Sequence, residues 1–251
     1  MKHKEWLDRL LSILYPPRCV CCGAVLSTGE RLCETCSERI ARIEAPVCLL
    51  CGQSLQDCSR KHPKTAYKEI TAPFYYEDAI REGIHRFKFR DRPQYAAYFA
   101  QEMAASIRAN LPGVAFDQIT CVPMRTAKEK ERGYNQSALL AQELSKLLEI
   151  PVHCHLLRKC ADTPAQHELK GAERRGNVFG VFEVAKPELT QGKTILLCDD
   201  VKTTGATLDE CAKMLKLAGA QEVYCACIAV TRKNKSVETV SYTHLTLPTI
   251  A

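Results

Sequence analysis

Ile195-Leu-Leu-Cys-Asp-Asp-Val-Lys-Thr-Thr-Gly-Ala-Thr207 runs from an unbroken apolar segment into two carboxylates and then into a hydroxyl-rich loop. Ile195 to Cys198 shows no alternation of apolar and polar residues, the pattern of a parallel strand covered on both faces. Beyond the loop, Leu208, Cys211, Ala212, Leu215 and Ala218 recur at helical spacing, and Gly219 stands where a helix ends. This order places Thr203, Thr204 and Thr207 at a helix N-terminus, with Gly205 allowing close backbone approach. Free N–H groups and the positive end of the helix dipole favour a dianionic phosphate there. Asp199 and Asp200 can only accept hydrogen bonds. Beside a phosphate they would repel it, so they are expected to take the hydroxyls of an attached sugar, with or without Mg2+. A capped strand-to-helix turn would need only one such residue. The stretch is therefore expected to hold a sugar phosphate.

The same residues resemble the phosphoribosyl pyrophosphate (PRPP) signature of type I phosphoribosyltransferases, two acidic residues after a hydrophobic strand followed by a Thr-Thr-Gly-x-Thr loop. Two further stretches resemble one branch, the ComF family of competence-associated, phosphoribosyltransferase-like proteins. They are Val122-Pro-Met-Arg125 leading to Glu131-Arg-Gly-Tyr-Asn-Gln136, and Gln166-His-Glu-Leu169 leading to Arg174-Arg-Gly-Asn-Val178. With a cysteine-rich module ahead of them, the resemblance covers residues 15–232. It implies PRPP bound with Mg2+ by Thr203, Thr204, Gly205, Ala206 and Thr207. The turn Val122, Pro123, Met124 and Arg125 would approach the pyrophosphate through an unusual peptide conformation. Asp199, Asp200 and Arg132 are the expected catalytic residues, for displacement of pyrophosphate at the anomeric carbon. The resemblance further implies a part in DNA uptake during natural transformation, with single-stranded DNA and a competence helicase as partners. No segment can be assigned to an acceptor, so a PRPP sensor and a zinc-ribbon adaptor stay open beside a transferase.

Composition is compatible with this. The chain has 251 residues and a formal net charge of +6, a mild basic excess that suits phosphate-bearing ligands or nucleic acid without deciding between them. No apolar run reaches the roughly 18 residues a bilayer span requires. Residues 1–17 are expected to form an amphipathic helix around Trp6 to Leu14, ended by Pro16 and Pro17; the segment is too short and too charged for a span and lacks the small-residue cleavage site of a signal peptide. The expected compartment is a reducing cytoplasm, because the 15 cysteines fall into metal-binding spacings or onto apolar element faces.

Within residues 18–65, Cys19-x-x-Cys22 and Cys33-x-x-Cys36 form two knuckles whose thiolates can converge on one Zn2+. Cys48-x-x-Cys51-Gly52 opens a second set, completed if Cys58 and His62 supply ligands. The resembled family usually carries Cys-x-x-Cys where this chain has Cys58-Ser-Arg-Lys-His62, which leaves Cys3His, three-coordinate and metal-free forms open. Cys21 is spare, or replaces Cys19 or Cys22 in a shifted register. So small a module has little core of its own, so zinc is expected to be structural. Basic spacer residues such as Arg31 and Arg39 interleave with Glu30, Glu34 and Glu38, which favours a solvated surface over a binding patch.

Residues 66–232 read as alternating strands and helices, an α/β fold with a mostly parallel sheet flanked by helices. Strands are expected at Ile70 to Tyr76, Gln118 to Val122, Val152 to Leu157, Val178 to Val184, Lys193 to Cys198 and Glu222 to Val230. Asp78 is expected to cap one helix, Pro93 to open another, and Gln136 to Leu148 to form a third. The loops after Val122 and Cys198 should share one sheet edge, where such folds bind ligands. Thr126 to Glu131 is charged and lacks an apolar anchor, so it is expected to be mobile until a ligand orders it. His153 and His155 read as an exposed strand face. Residues 233–251 carry no periodicity that continues the fold, and Ser241 to Ala251 resembles an appended tail.

Overall fold

The computed structural model describes residues 16–90, 92–160 and 181–232. The expected N-terminal helix, the Gln166-to-Val178 stretch and the C-terminal tail lie outside these residues.

A parallel sheet organises the chain from Ile70 onward. Its strands are β1 (Ile70–Thr71), β2 (Phe74–Tyr75), β3 (Gln118–Cys121), β6 (Thr194–Lys202) and β7 (Glu222–Val230). β7 pairs with β1 and β2 along one side and with β6 on the other, and β6 pairs with β3. One strand was expected from Ile70 to Tyr76. The structure breaks it between Thr71 and Phe74, because Pro73 has no N–H to give the ladder. Beyond β3, Val152 makes an isolated parallel bridge to Ile119. The strand expected around Val152 to Leu157 is therefore largely absent. In its place, β4 (Leu157–Lys159) and β5 (Phe182–Val184) form a separate antiparallel pair.

Helices cover both faces. On one lie α2 (Asp78–Phe89), α3 (Tyr95–Asn110) and α5 (Gln136–Leu148), whose Ile84, Phe87, Phe99, Met103, Leu140 and Leu144 pack on Ile119, Leu196 and Ile228. On the other lies α6 (Ala206–Leu217), with Leu208, Cys211 and Leu215 against Ile195, Leu197 and Val223. β6 and β7 are thus buried on both faces, as their unbroken apolar runs require. Asp78 does not cap α2; it is the first helical residue, preceded by an extended Glu77. Gly219 follows the end of α6 in the left-handed conformation, φ +93°.

The cysteine-rich segment is packed into this domain rather than tethered to it. Cys19, Val20, Cys21 and Cys36, the last on the short helix α1 (Glu34–Glu38), share a core with α2 and α3. A Cβ on Gly83 would lie 3.4 Å from Cys21 Sγ, so α2 approaches the first knuckle at a residue without a side chain. The second knuckle abuts the end of β7 and the start of β1: Gln53 Nε2 donates to the Thr231 carbonyl at 2.8 Å, and Ile70 N to the Leu49 carbonyl at 2.7 Å.

Candidate functional site

β3 and β6 end side by side. Cys121 is registered with Cys198, and Val122 N donates to the Cys198 carbonyl at 2.9 Å, so the turn at Val122 and the acidic pair leave the same sheet edge together. β6 continues past the expected boundary, through both aspartates to Lys202, because β7 keeps pairing with it as far as Val230. The aspartates are held by the strand rather than by a loop.

Asp199 is partly buried and accepts from Ser137 Oγ and from Asp200 N, both at 2.9 Å. Burial first, and then the neighbouring Asp200 charge, raise its carboxyl to about 7, although Ser137 and Lys88 oppose the shift. Asp200 is paired with Lys88 of α2 at 2.7 Å. Neither Ser137 nor Lys88 was singled out from the sequence. Ser137 follows a helix start, and Lys88 meets Asp200 only because the last turn of α2 reaches the end of β6, a contact without a local signature.

Thr203, Thr204, Ala206 and Thr207 are exposed around the N-terminus of α6. Gly205 precedes it at φ +87°, and a Cβ there would lie 3.0 Å from Lys202 Cε, so glycine is required twice over. Lys202 is buried, its side chain passing against Gly205 and donating to the Cys51 carbonyl at 3.2 Å. Thr231 Oγ1 donates to the carbonyls of Lys202 and Thr203, fastening the loop from β7. The exposed hydroxyls and α6 N–H groups form an anion cradle, with two carboxylates on the strand end beside it.

Across the cradle, Val122 is buried, Pro123 and Met124 are half-buried, and Arg125 is exposed. Asn135 caps α5 by accepting from Ser137 N at 3.0 Å and also donates to the Val122 carbonyl at 3.2 Å, tying the turn to the helix that carries Ser137. Among the described residues the cis peptide joins Ala45 and Pro46, and the peptide bonds of the Val122-to-Arg125 turn are trans. The charged segment after this turn is a short helix, α4 (Thr126–Arg132), ended by Gly133 at φ +85°. Ala, Lys and Glu are strong helix formers, and α4 has no buried residue, so propensity and its cap rather than packing account for it. Arg132 donates to Gln136 Oε1 at 2.5 Å and lies over the Phe89 ring, 4.7 Å from its centroid.

Two metal-ligand groups are formed. The ligand atoms of Cys19, Cys22, Cys33 and Cys36 lie within 4.8 Å of one another, as do those of Cys48, Cys51, Cys58 and His62. The 3.7 Å between Cys22 Sγ and Cys33 Sγ is the edge of a tetrahedron with Zn–S bonds of about 2.3 Å. His62 Nε2 lies 3.2 Å from Cys58 Sγ and 3.4 Å from Cys48 Sγ, so the second group fits Zn2+ as Cys3His. Burial opposes ionisation of Cys19, but backbone N–H groups, those of Cys22 and Cys33 foremost, outweigh it and bring the thiol to about 7. Cys21 is pushed up to about 12 by burial and by neighbouring thiolates, and it faces α2, which leaves it outside the zinc set. His153 and His155 join no metal group among the described residues.

A phosphoribosyltransferase-type α/β domain fused to a double zinc ribbon is the class this architecture defines. Residues 10–67 match the family described as double zinc ribbon domain, and residues 135–251 the phosphoribosyl transferase domain. The chain is 30% identical to competence protein F of Haemophilus influenzae over 82% of its own length and 93% of that protein. It is 29% identical to DNA utilization protein YhgH of Escherichia coli K12 (88% and 95% covered). It is also 29% identical to competence protein ComFC of Bacillus subtilis (76% and 80%). The chain belongs to the ComF family. Among solved structures, a purine phosphoribosyltransferase from Pyrococcus horikoshii is similar over 55% of this chain and 74% of that one, at 20% identity and a TM-score of 0.36.

Proposed function

We propose that the chain binds PRPP with Mg2+ on the Asp199-to-Thr207 stretch and serves DNA uptake, as the names of its relatives suggest. One observation carries the ligand reading: the Cys121–Cys198 register sets the Val122-to-Arg125 turn beside an acidic strand end and a helix N-terminus ringed by exposed hydroxyls. A sugar phosphate on the α6 N–H groups, and on Thr203, Thr204 and Thr207, directs its ribose hydroxyls toward Asp199 and Asp200. The pyrophosphate then lies toward Arg125, on the facing turn. When bound, Mg2+ neutralises charge on the leaving group, and the hard carboxylate donors suit its company. Displacement at the anomeric carbon needs no protein nucleophile. The chain's part would be to orient the ribose and stabilise developing charge, with Lys88 holding Asp200 in place.

Titration calorimetry with PRPP, with and without Mg2+, tests this reading. Binding should require Mg2+ and should fall at least about ten-fold, some 1.4 kcal/mol, in Asp199→Asn/Asp200→Asn. No heat at millimolar PRPP from folded protein would remove the reading. A second reading, a zinc-ribbon adaptor or PRPP sensor in DNA handling, is favoured by relatives named for DNA utilization. Deleting the ribbon cannot test it, because Cys19, Val20, Cys21 and Cys36 belong to the core of the α/β domain. Point changes of exposed ribbon arginines can.

A further inference from the structure

Two clefts open along α2, and the PRPP reading leaves them without an occupant. The smaller, about 310 Å3, is lined by Lys88, Phe89, Lys128, Glu131 and Arg132. Phe89 is 59% exposed, whereas Ile80, Ile84 and Phe87 of the same helix are fully buried. The core therefore does not account for an aromatic ring at this position. His85 lies against the ring at 4.9 Å between centroids, and the Arg132 guanidinium lies over it. The cleft so far combines a π-face, a guanidinium plane, Lys128 against Glu131, and Lys88, which is paired with Asp200, with no aliphatic side chain in its lining. An apolar peptide would find little to bury here. A base attached to a phosphate finds both of its requirements, since bases stack on aromatic rings and on guanidinium planes, and lysine and arginine take phosphate. The volume lies at the low end for ligand pockets, enough for one such unit.

The larger cleft, about 580 Å3, continues the same surface. His85, beside Phe89, also lines it, together with Arg81, Arg86 and Arg90, and Arg39 reaches in from the ribbon. Asp78 and Glu82 offset part of this charge. The outer face of α2 is thus a basic track with an aromatic at one end, and Lys88 joins that end to Asp200 at 2.7 Å.

The geometry points to the Phe89 cleft as a nucleotide subsite. One base stacks on the Phe89 ring or on the guanidinium laid over it, its phosphate is held by Lys128 and Arg132, and a longer strand follows the α2 arginines. The inference deepens the nucleic-acid side of the reading above and rests on it for the kind of partner, but it does not require PRPP to bind.

Fluorescence anisotropy on the full chain at fixed salt tests it, with a deoxythymidine hexamer, an abasic hexamer of equal charge, and thymidine monophosphate as competitor. Phe89→Ala should weaken the hexamer roughly 5- to 150-fold, the range expected for loss of one stacked base, while the abasic strand is unaffected. Phe89→Trp should restore binding and show quenching of the new indole by the hexamer. Competition by the monophosphate would identify a free nucleotide as the natural occupant, and failure to compete would identify a strand. Equal hexamer binding by wild type and Phe89→Ala, or no binding of hexamer or monophosphate by wild type, overturns the subsite. PRPP titration of Phe89→Ala, expected to match wild type, keeps the two readings apart.

Discussion

Asp199 is the residue where function and stability oppose one another. Its carboxyl titrates near 7 in the folded chain, against an ordinary value of 3.8, because burial and Asp200 disfavour its charge. The folded state therefore holds a proton that the unfolded state releases, and stability falls as pH rises from about 4 to about 7. Asp199→Asn should accordingly raise thermal stability at pH 8, by no more than about 2 kcal/mol once partial exposure is allowed for, and change it little at pH 4. Thermal melts at the two pH values check this, and a variant destabilised at pH 8 would contradict it. PRPP binding, in contrast, should weaken in the same variant. Gly205→Ala carries a different cost: φ is +87° and the new Cβ would lie 3.0 Å from Lys202 Cε. A loss of about 1–2 kcal/mol in denaturant unfolding, with weaker PRPP binding, is expected.

Among the elements, α5 does more than fill the core. Its N-cap Asn135 fixes both Ser137, which bonds Asp199, and the Val122 carbonyl. Asn135→Ala should cost about 1 kcal/mol of stability as a lost cap, and should reduce PRPP affinity through the turn it positions, without itself touching the ligand; chemical unfolding and calorimetry separate the two effects. α5, α6 and β7 were readable in the sequence because each carries one uninterrupted periodicity. The Ile70-to-Tyr76 strand was not, since Pro73 breaks its ladder while the apolar run around it persists. α4 was missed for the opposite reason. It has no apolar stripe, and only its helix-forming residues and Gly133 mark it. The acidic pair and the threonine loop were legible because their chemistry is consecutive in the chain. Ser137 and Lys88 reach the site from other elements, and only the packing of those helices on the sheet brings them there.

In the molecule as a whole, the contacts that join the ribbons to the α/β domain include the Cys21–Gly83 approach and those of the second knuckle with Thr231 and Lys202. His62→Ala should lower bound zinc by one of the two ions the ligand groups can hold. It should also speed amide exchange in residues 202–207, where Lys202 is anchored on Cys51. Mass spectrometry of the native chain and of its exchanged peptides reads both effects. That contact makes the second ribbon part of the scaffold beneath the loop proposed to hold PRPP. The most direct measurement of the central claim is calorimetric titration of the wild-type chain with PRPP, with and without Mg2+. A Mg2+-dependent, one-to-one isotherm that disappears in Asp199→Asn/Asp200→Asn is the predicted result, and a folded, zinc-loaded chain that gives no heat at millimolar PRPP would contradict it.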